Sequence, residues 1–494
     1  MALTAGNTSF SCAPEALAFP IISGAEILSI EASLVQNYTA RVSGQLYYNH
    51  GDVNATNLSF CNNDTVLTQI WLPTETWNGR MQAVGGGGWV AGMFTLSYIA
   101  MAGAVGEGYA GVTTNAGLPS EDPKDWALLG PGNVDLYALQ NLASVSLNDA
   151  AMIGESIIKS FYREPPKYSY WSGCSQGGRQ GLMLAQRYPK AFDGIAASAP
   201  AINCIRLQCE MNALTVAVID ACDGNDGLID GMISDPDSCQ FDPYTIVGKA
   251  TTCSDSGITL RITKAAAAVA NAAWRTAKTA NETFLWYGTG YEANLTTSTS
   301  VAHTECQANG TCISKPSTLF TDWMGLFIEK TPAFDTSSLT RQEYENIYRA
   351  GVREYSSIIG TNFHDLTGFR KAGGKMIAYH GLADETIPFR GTRDYYEAVA
   401  ASDPSVHSYC RLFEAPGLGH CSGGVGVYPA GTFDSLVAWV ESDEAPDTLE
   451  AASLADGNGV EKRRILCPYP RKALYDGVGD PNSSESFSCS RQIL

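Results

Sequence analysis

The sequence predicts an α/β fold, in which a largely parallel sheet is covered by helices and interrupted by one large insertion. Strand-like and helical runs alternate over the first 200 residues, and strand character returns after residue 375. Between about 202 and 370 the chain is poor in strand-like runs. We therefore expect a core of residues 1–201 and 371–494, with residues 202–370 inserted as a lid domain.

Each predicted element has a local signal. β-branched and aromatic runs indicate strands, and three of these strands lead directly into glycine-rich turns. Apolar side chains at helical spacing indicate the longest helix of the first half. In chain order, strands are predicted at 36–48, 66–73, 81–84, 109–114 and 168–172, a helix at 137–161, a helix at 179–188, an alanine-rich helix near 263–279, and strands at 375–380 and 409–413.

Composition excludes several classes of partner. The 494 residues carry a net charge of -19, so nucleic acid and anionic membrane surfaces would be repelled. No run of 18 apolar residues occurs, which argues against a membrane-spanning helix. The expected partner is a small molecule or a polysaccharide-linked substrate, and the oligomeric state is left open.

Cysteines and glycosylation sequons indicate secretion. Fourteen cysteines without paired CxxC motifs are typical of a disulfide framework in an oxidising compartment. The N-terminal residues lack an apolar signal-peptide core, so we expect a mature extracellular chain. Nine N-x-S/T sequons agree with this, at Asn7, Asn37, Asn54, Asn57, Asn63, Asn281, Asn294, Asn309 and Asn482.

The pentapeptide Gly173-Cys174-Ser175-Gln176-Gly177 is a candidate nucleophile turn. A GxSxG pattern occurs by chance in a glycine-rich chain, but this one lies between a predicted strand and a predicted helix. That setting is typical of the α/β-hydrolase fold, where the turn exposes the serine and needs glycine on both sides. Ser175 is therefore the predicted nucleophile, and an ordinary glycine-rich turn is the alternative.

The acid and the base of such enzymes follow the serine in that order along the chain. Asp384 lies just after the predicted strand 375–380, with Glu385 as its rival and a plain turn aspartate as the alternative. His420 lies in a glycine-rich loop after the predicted strand 409–413, where an imidazole can reach the serine. His380 lies inside a strand and is expected to be a packed residue.

Two cysteines flank these residues. Cys174 precedes the serine and Cys421 follows the histidine, so a serine and histidine that exchange a proton bring the cysteines within disulfide reach. We expect a Cys174–Cys421 bridge; two buried thiols are the alternative. For the oxyanion we expect two backbone N–H donors, one at Gln176 and one in the run 85–88, where Gly87 is favoured.

With these motifs the chain resembles the tannase and feruloyl esterase family. The resemblance extends beyond the triad to segments that cover residues 70 to 200 and 370 to 430 well and the insertion only partly. These segments are Trp77-Asn78-Gly79-Arg80, Arg187-Tyr188-Pro189, Phe192-Asp193-Gly194-Ile195, Ala199-Pro200-Ala201, Arg411-Leu412-Phe413 and Pro416-Gly417-Leu418-Gly419-His420-Cys421. It implies an α/β-hydrolase core, an acyl pocket formed with the lid, and hydrolysis of phenolic esters.

A second motif lies in the insertion. Residues 222–232 place carboxylates closely around glycines, which suits a hard cation such as Ca²⁺, although the spacing is not that of an EF-hand. The segment resembles the calcium loop of the family. The resemblance implies structural Ca²⁺, with ligands from the side chains of Asp223, Asp226 and Asp230 and the backbone oxygens of Leu228 and Met232. A solvated acidic turn is the alternative.

The resemblance also implies disulfide pairs. They are Cys222–Cys239, Cys12–Cys61 and Cys467–Cys489, while Cys306–Cys312 is a plausible local loop closure. The partners of Cys204, Cys209, Cys253 and Cys410 stay open.

The function expected from these observations is hydrolysis of hydroxycinnamoyl esters, such as feruloyl esters of plant cell walls, through an acyl-enzyme. A tannase acting on galloyl esters is the alternative within the family, and one bacterial branch of the family hydrolyses a terephthalate monoester. A serine peptidase or a non-catalytic, calcium-stabilised binding protein are remote alternatives from other classes.

Overall fold

A computed structural model describes residues 11–22, 26–65, 67–201, 210–252, 259–306, 312–315, 317–455 and 459–490. Within them one sheet has nine strands, numbered here in chain order. They are β1 Glu31–Val42, β2 Val53–Asp64, β3 Thr68–Pro73, β4 Arg80–Val84, β5 Ala110–Thr114, β6 Tyr168–Cys174, β7 Gly194–Ser198, β8 Lys375–Gly381 and β9 Cys410–Ala415.

The sheet has the order β1-β2-β3-β5-β4-β6-β7-β8-β9. The first three strands and β5 pair antiparallel, and from β5 to β9 every neighbouring pair is parallel. The carboxyl ends of β6, β8 and β9 therefore lie at one edge of the sheet, where a ligand site is expected. The predicted α/β-hydrolase fold is confirmed.

The helices, in chain order, are α1 Thr95–Gly106, α2 Leu136–Ala143, α3 Val145–Tyr162, α4 Gln176–Arg187, α5 Glu210–Cys222, α6 Lys264–Trp274, α7 Thr318–Asp322, α8 Arg341–Tyr355, α9 Thr367–Lys371, α10 Phe389–Ser402 and α11 Thr432–Ser442. A π-helical turn, Trp323–Ile328, follows α7 directly. None of the helices in the described ranges combines the length and apolar character needed to cross a membrane.

Helices cover both faces of the sheet because strand side chains alternate between the faces. In β6, Trp171 packs with α3, α4 and α10, while the neighbouring Tyr170 packs with α11. In β8, Met376 and Ile377 divide in the same way. The predicted buried parallel strands follow from this arrangement.

The helix predicted at 137–161 is interrupted. Ser144, with φ -162° and ψ -40°, separates α2 from α3. The guanidinium of Arg179 donates to Leu142 O at 3.2 Å and to Ala143 O at 3.1 Å, so the last carbonyls of α2 are satisfied from outside the helix. The apolar spacing continues through the break, which is why periodicity alone predicted one helix.

Between β7 and β8, residues 210–371 contribute no described strand to the main sheet. They form α5 to α9 and short two-stranded ribbons, and they have an apolar cluster of their own. We call these residues the insert. A second cluster joins the π-helical turn of the insert to core residues such as Trp89 and Leu118.

Candidate active site

Ser175 lies at the junction of β6 and α4, in a backbone conformation unusual for a residue with a side chain. Its φ is 59° and its ψ is -118°. A Cβ on Gly173 would lie 2.6 Å from the carbonyl carbon of Gly177, so the turn can close this tightly only with glycine there. The N–H of Ser175 donates to Ser198 O at 3.1 Å. The serine is therefore held at the carboxyl end of the sheet in a strained turn.

Asp384 receives four hydrogen bonds in the loop after β8. Its Oδ1 accepts from the N–H groups of Thr386 at 2.8 Å and Ile387 at 2.7 Å. Its Oδ2 accepts from His420 Nδ1 at 2.9 Å and His380 Nε2 at 3.1 Å. The carboxylate is completely buried, and its negative charge is compensated by these donors.

Asp384 and His420 shift each other's pKa. Burial alone would raise the pKa of Asp384, but His420 and His380 outweigh it and hold that pKa well below its ordinary value. Burial opposes protonation of His420, yet the Asp384 carboxylate and, less strongly, Glu385 raise its pKa above the ordinary value. An ionised carboxylate beside an imidazole that accepts a proton readily is suited to general-base chemistry.

His380 also contacts the acid, a role that sequence reasoning missed. Its Nε2 lies 3.0 Å from the carbonyl oxygen of Ile387 as well as 3.1 Å from Asp384. Since a carbonyl only accepts, Nε2 donates, and Nδ1 is hydrogen-bonded to Thr392 Oγ1 at 2.8 Å. His380 is a satisfied buried residue, as predicted, and it also orients Asp384. Its position four residues before the acid was the available signal.

Glu385, the rival acid, does not contact the ring. Its Oε2 accepts from the backbone N–H of His420 at 3.1 Å, while Asp384 contacts the imidazole. The two carboxylates therefore hold different parts of the same residue.

The flanking cysteines form a disulfide. The Sγ atoms of Cys174 and Cys421 are 2.02 Å apart and their Cα atoms 5.9 Å apart, across 247 positions of sequence. The carbonyl of Cys421 also accepts from the buried hydroxyl of Tyr379 at 2.9 Å. Ser175 follows Cys174 and His420 precedes Cys421. The bridge therefore holds the backbones of the candidate nucleophile and the candidate base together.

The glycine turn after β4 packs against the start of α4. Gly86 O accepts from the N–H of Gly177 at 3.1 Å. The N–H of Gly85 is used by a carbonyl of β6, and that of Gly86 by a side chain of α4. The N–H of Gln176 donates to none of the residues described here, whereas Gly87 forms an isolated antiparallel bridge with Val90 and its carbonyl accepts from the N–H of Val90 at 3.0 Å. The N–H of Gln176 is therefore available to an oxyanion, and the role of Gly87 as the second donor stays a prediction.

Arg179, one turn into α4, is a further residue that the sequence did not reveal. It is buried, and its Nε donates to Gln176 Oε1 at 2.6 Å while its other nitrogens hold the end of α2. Burial and the charge of Arg187 lower its pKa to about 9. Its hydrogen bond positions the side chain of Gln176, the residue that follows Ser175.

The insert contacts the glycine turn through aromatic side chains. The ring centroid of Trp89 lies 5.0 Å from that of Phe327 and 6.1 Å from that of Trp323, both in the π-helical turn. Gly88 faces Leu319 of α7. The glycine turn therefore packs against apolar groups of the insert.

The acidic loop of the insert, residues 223–232, holds its carboxylates in tight turns. Asp223 accepts from the N–H groups of Asp230 at 3.0 Å and Gly231 at 2.7 Å. Asp226 accepts from the N–H of Leu228 at 3.0 Å. These oxygen-only donors suit a hard cation, but they are already engaged by backbone N–H groups.

Two cations also reach this loop. Asp230 accepts from Arg464 at 2.5 Å and from the N–H of Met232 at 3.2 Å, and its carbonyl accepts from Lys462 at 2.5 Å. Burial and the neighbouring carboxylates nevertheless raise the pKa of Asp226, and burial raises that of Asp230 despite Arg464. Within the described ranges, no three His, Cys, Asp or Glu residues form a group that could hold a metal.

The disulfide pairs implied by the resemblance are formed at Cys12–Cys61, Cys222–Cys239 and Cys467–Cys489 as well as at the active site. Cys410 is a buried free thiol, and burial raises its pKa to about 12. Cys204, Cys209 and Cys253 lie outside the described residues, as do the side chains of Cys306 and Cys312.

Comparisons of sequence agree with this site. A family model described as tannase and feruloyl esterase matches residues 61–211 and 204–490. A probable feruloyl esterase from Arthroderma benhamiae is 38% identical over 464 residues, covering 87% of this chain and 84% of that protein. A mono(2-hydroxyethyl) terephthalate hydrolase from Piscinibacter sakaiensis is 29% identical over 494 residues, covering 85% and 81%.

Comparisons of structure point to the same group. Feruloyl esterase B from Aspergillus oryzae matches with a TM-score of 0.75 and 27% identity, covering 95% of this chain and 97% of that one. The tannin acyl hydrolase from Aspergillus niger matches with a TM-score of 0.84, covering 97% and 95%. At 23% identity, the latter likeness bears on the fold alone.

Proposed function

Since this chain belongs to the tannase and feruloyl esterase family and is a carboxylic ester hydrolase, we propose that it is a secreted serine esterase for hydroxycinnamoyl esters. Its substrates are feruloyl and related phenolic esters, free or linked to plant cell-wall polysaccharides. Ser175 is the nucleophile, His420 the base and Asp384 the acid. The observation that carries this assignment is the Asp384–His420 hydrogen bond, tied by the Cys174–Cys421 bridge to the strained serine turn.

In the first half of the reaction, Ser175 Oγ attacks the ester carbonyl carbon and gives its proton to His420 Nε2. The Nδ1–H of His420 remains on Asp384, which orients the ring and stabilises the imidazolium. The carbonyl oxygen becomes an oxyanion that accepts from the N–H groups of Gln176 and Gly87. When the tetrahedral adduct collapses, the leaving alkoxide takes the proton from His420.

The second half repeats these steps with water. His420 Nε2 removes a proton from the water, whose oxygen attacks the acyl carbon, and the same two N–H groups hold the new oxyanion. Collapse breaks the bond to Ser175 Oγ, which recovers its proton from His420. The phenolic acid leaves and the enzyme returns to its starting state.

Three observations support a hydroxycinnamoyl rather than a galloyl ester. The relative from A. benhamiae is 38% identical and bears the name of a probable feruloyl esterase. Feruloyl esterase B from Aspergillus oryzae is 27% identical to this chain. Trp89, two residues after the proposed oxyanion donor Gly87, stacks on Phe327 with ring centroids 5.0 Å apart. Such a wall suits a planar aromatic acyl group with few hydroxyls.

A panel of methyl ferulate, methyl caffeate, methyl p-coumarate and methyl gallate tests the proposal, with Ser175→Ala as the control. We expect kcat/KM for the hydroxycinnamates to exceed that for the gallate at least about tenfold, a difference of about 1.4 kcal/mol. Ser175→Ala should lose more than about 10³-fold in kcat on every ester. Preference for the gallate indicates a tannase, and an active Ser175→Ala variant refutes the assigned nucleophile.

We further propose that residues 202–370 form a lid over the catalytic core of residues 1–201 and 371–494. The separate apolar cluster of the insert supports this division, and so do its aromatic contacts with Trp89. Substitution of Trp323 by alanine is expected to raise KM for aromatic esters more than for an acetate ester, because its ring stacks on Trp89, two residues after the proposed oxyanion donor Gly87.

Structural Ca²⁺ at Asp223, Asp226, Asp230 and the carbonyls of Leu228 and Met232 is also proposed. The oxygen-only donors and the raised pKa values of Asp226 and Asp230 support it, since a cation would neutralise crowded negative charge. The residues that hold it are distant in sequence from the triad, so the ion would stabilise the insert and take no part in the chemistry. Its test is given in the Discussion.

A further inference from the structure

We propose that Glu385 is a positioning residue that holds the backbone of His420, so that one loop controls both ends of the catalytic base. This inference rests on the proposed catalytic role of His420. Asp384 and Glu385 are adjacent in the loop after β8 and reach different atoms of the same residue. Oδ2 of Asp384 lies 2.9 Å from the ring Nδ1, and Oε2 of Glu385 lies 3.1 Å from the backbone N.

The side chain of Glu385 packs against the loop that carries His420. Glu385 is partly buried, and a Cβ on Gly419 would lie 3.2 Å from its Oε2. The loop carrying His420 also meets the acid loop by backbone, where Ala383 N donates to Leu418 O at 3.0 Å. The Glu385 carboxylate lies between these two loops and fixes the backbone position of His420. The position of the imidazole ring follows from it.

The cost of this arrangement is a second negative charge near the first. Burial, and then the charge of Asp384, raise the pKa of Glu385, while both carboxylates raise that of His420. A residue that only packed the loop would not need a carboxylate here. The charge therefore ties the position of the base to its affinity for a proton.

Other titratable groups around this loop remain the same in every variant below. They are His380 and Tyr379 from β8, Glu292 from the insert, which accepts from Gly417 N at 3.3 Å, and Tyr48, which packs against the bridge. A difference between variants at position 385 therefore reports on Glu385 alone.

The test compares Glu385→Ala with Glu385→Gln, using p-nitrophenyl acetate so that the acyl preference does not matter. Glu385→Ala removes the acceptor, and we expect kcat to fall roughly 10- to 100-fold with KM within about twofold. Glu385→Gln keeps an acceptor oxygen and loses the charge. We expect kcat within about threefold of wild type, and an acid limb of kcat/KM moved to lower pH by at least about 0.3 unit, because a carboxylate that favours the imidazolium is gone.

A matched control is Glu345, a buried glutamate of α8 that accepts from Ala280 N at 2.8 Å, away from the triad. Glu345→Ala should lower Tm and leave both kcat and the acid limb unchanged. If Glu385→Ala behaves in the same way, Glu385 is merely structural and the inference is overturned. If Glu385→Gln abolishes turnover, Glu385 is the catalytic acid, and the inference is again overturned. A wild-type protein without esterase activity refutes the proposed function instead.

Discussion

Two loops of this molecule gather carboxylates, and they compensate the charge in opposite ways. In the loop after β8, Asp384 receives four N–H donors, two of them from imidazoles, and its pKa is held low. In the acidic loop of the insert, Asp226 and Asp230 are partly buried, and their pKa values are raised. In the first loop the donors outweigh the effect of burial on the carboxylate, whereas in the second loop burial outweighs the cations Arg464 and Lys462.

This difference predicts which property of the protein each loop controls when one of its charges is removed. Removing a charge from the first loop leaves donors without an acceptor and a base without orientation, so catalysis should suffer. Removing a charge from the second relieves repulsion unless a cation is bound there, so stability and its dependence on metal should change. The following experiments probe this contrast.

The largest effect is expected for Asp384→Asn. The amide keeps the size of the side chain but has only one acceptor oxygen, so it cannot accept both from the imidazoles and from the backbone N–H groups that bind the other oxygen, and the imidazole of His420 loses its counter-charge. We expect kcat to fall roughly 10³- to 10⁴-fold. Steady-state kinetics of Asp384→Asn beside Asp365→Asn measure this, since Asp365 is exposed and caps its own turn at Thr367. Equal activity of the two variants would show that Asp384 is not the catalytic acid.

The next effect concerns the bridge that ties the acid and base to the serine turn. Cys174→Ala, Cys421→Ala and the double variant should each lose about 10- to 100-fold in kcat with little change in KM, because the bridge positions the base without contacting substrate. The three variants should be equivalent, since each breaks the same bond. The long loop closed by the bridge also implies a stability loss of about 5 kcal/mol.

The control for this prediction is the Cys467–Cys489 bridge, which lies outside the active site. Replacing that pair by alanine should lower Tm and leave kcat unchanged. A peptide map of the non-reduced protein provides a direct test: Cys174 or Cys421 found free, or paired elsewhere, would contradict the bridge.

For the acidic loop we expect a moderate effect on stability and almost none on rate. Adding Ca²⁺ to metal-free protein should raise Tm by roughly 2–5 °C, and Asp226→Asn should abolish that rise. The exposed Asp447→Asn should retain it. Initial rates should change less than twofold in every case. If differential scanning calorimetry gives one Tm with and without Ca²⁺, the calcium proposal is wrong.

The smallest effect is expected from the glycans that the proposed secretion implies. Asn37, Asn54 and Asn57 are exposed on the β1–β2 hairpin, whereas Asn63 is completely buried and its Nδ2 donates to Cys61 O at 3.3 Å. Mass spectrometry of the protein from a eukaryotic host should find glycan on the first three and none on Asn63. Enzymatic deglycosylation should change kcat less than twofold. A modified Asn63 would contradict its place in the sheet.

The sequence by itself determined the features that depend on local chemistry and chain order. The GxSxG turn between strand and helix, the order of serine, acid and histidine, and the cysteines beside Ser175 and His420 each state a backbone constraint that few folds satisfy. The fold class followed from them, because strands that end in glycine turns meet at one edge of a parallel sheet.

Only the tertiary structure distinguished the roles of adjacent residues within these motifs. Asp384 and Glu385 follow the same strand, but a tight turn directs one carboxylate to the ring of His420 and the other to its backbone. Burial likewise set Asn63 apart from the exposed sequons on the same hairpin. Side-chain direction and burial depend on contacts between segments far apart in sequence, and no local pattern specifies them.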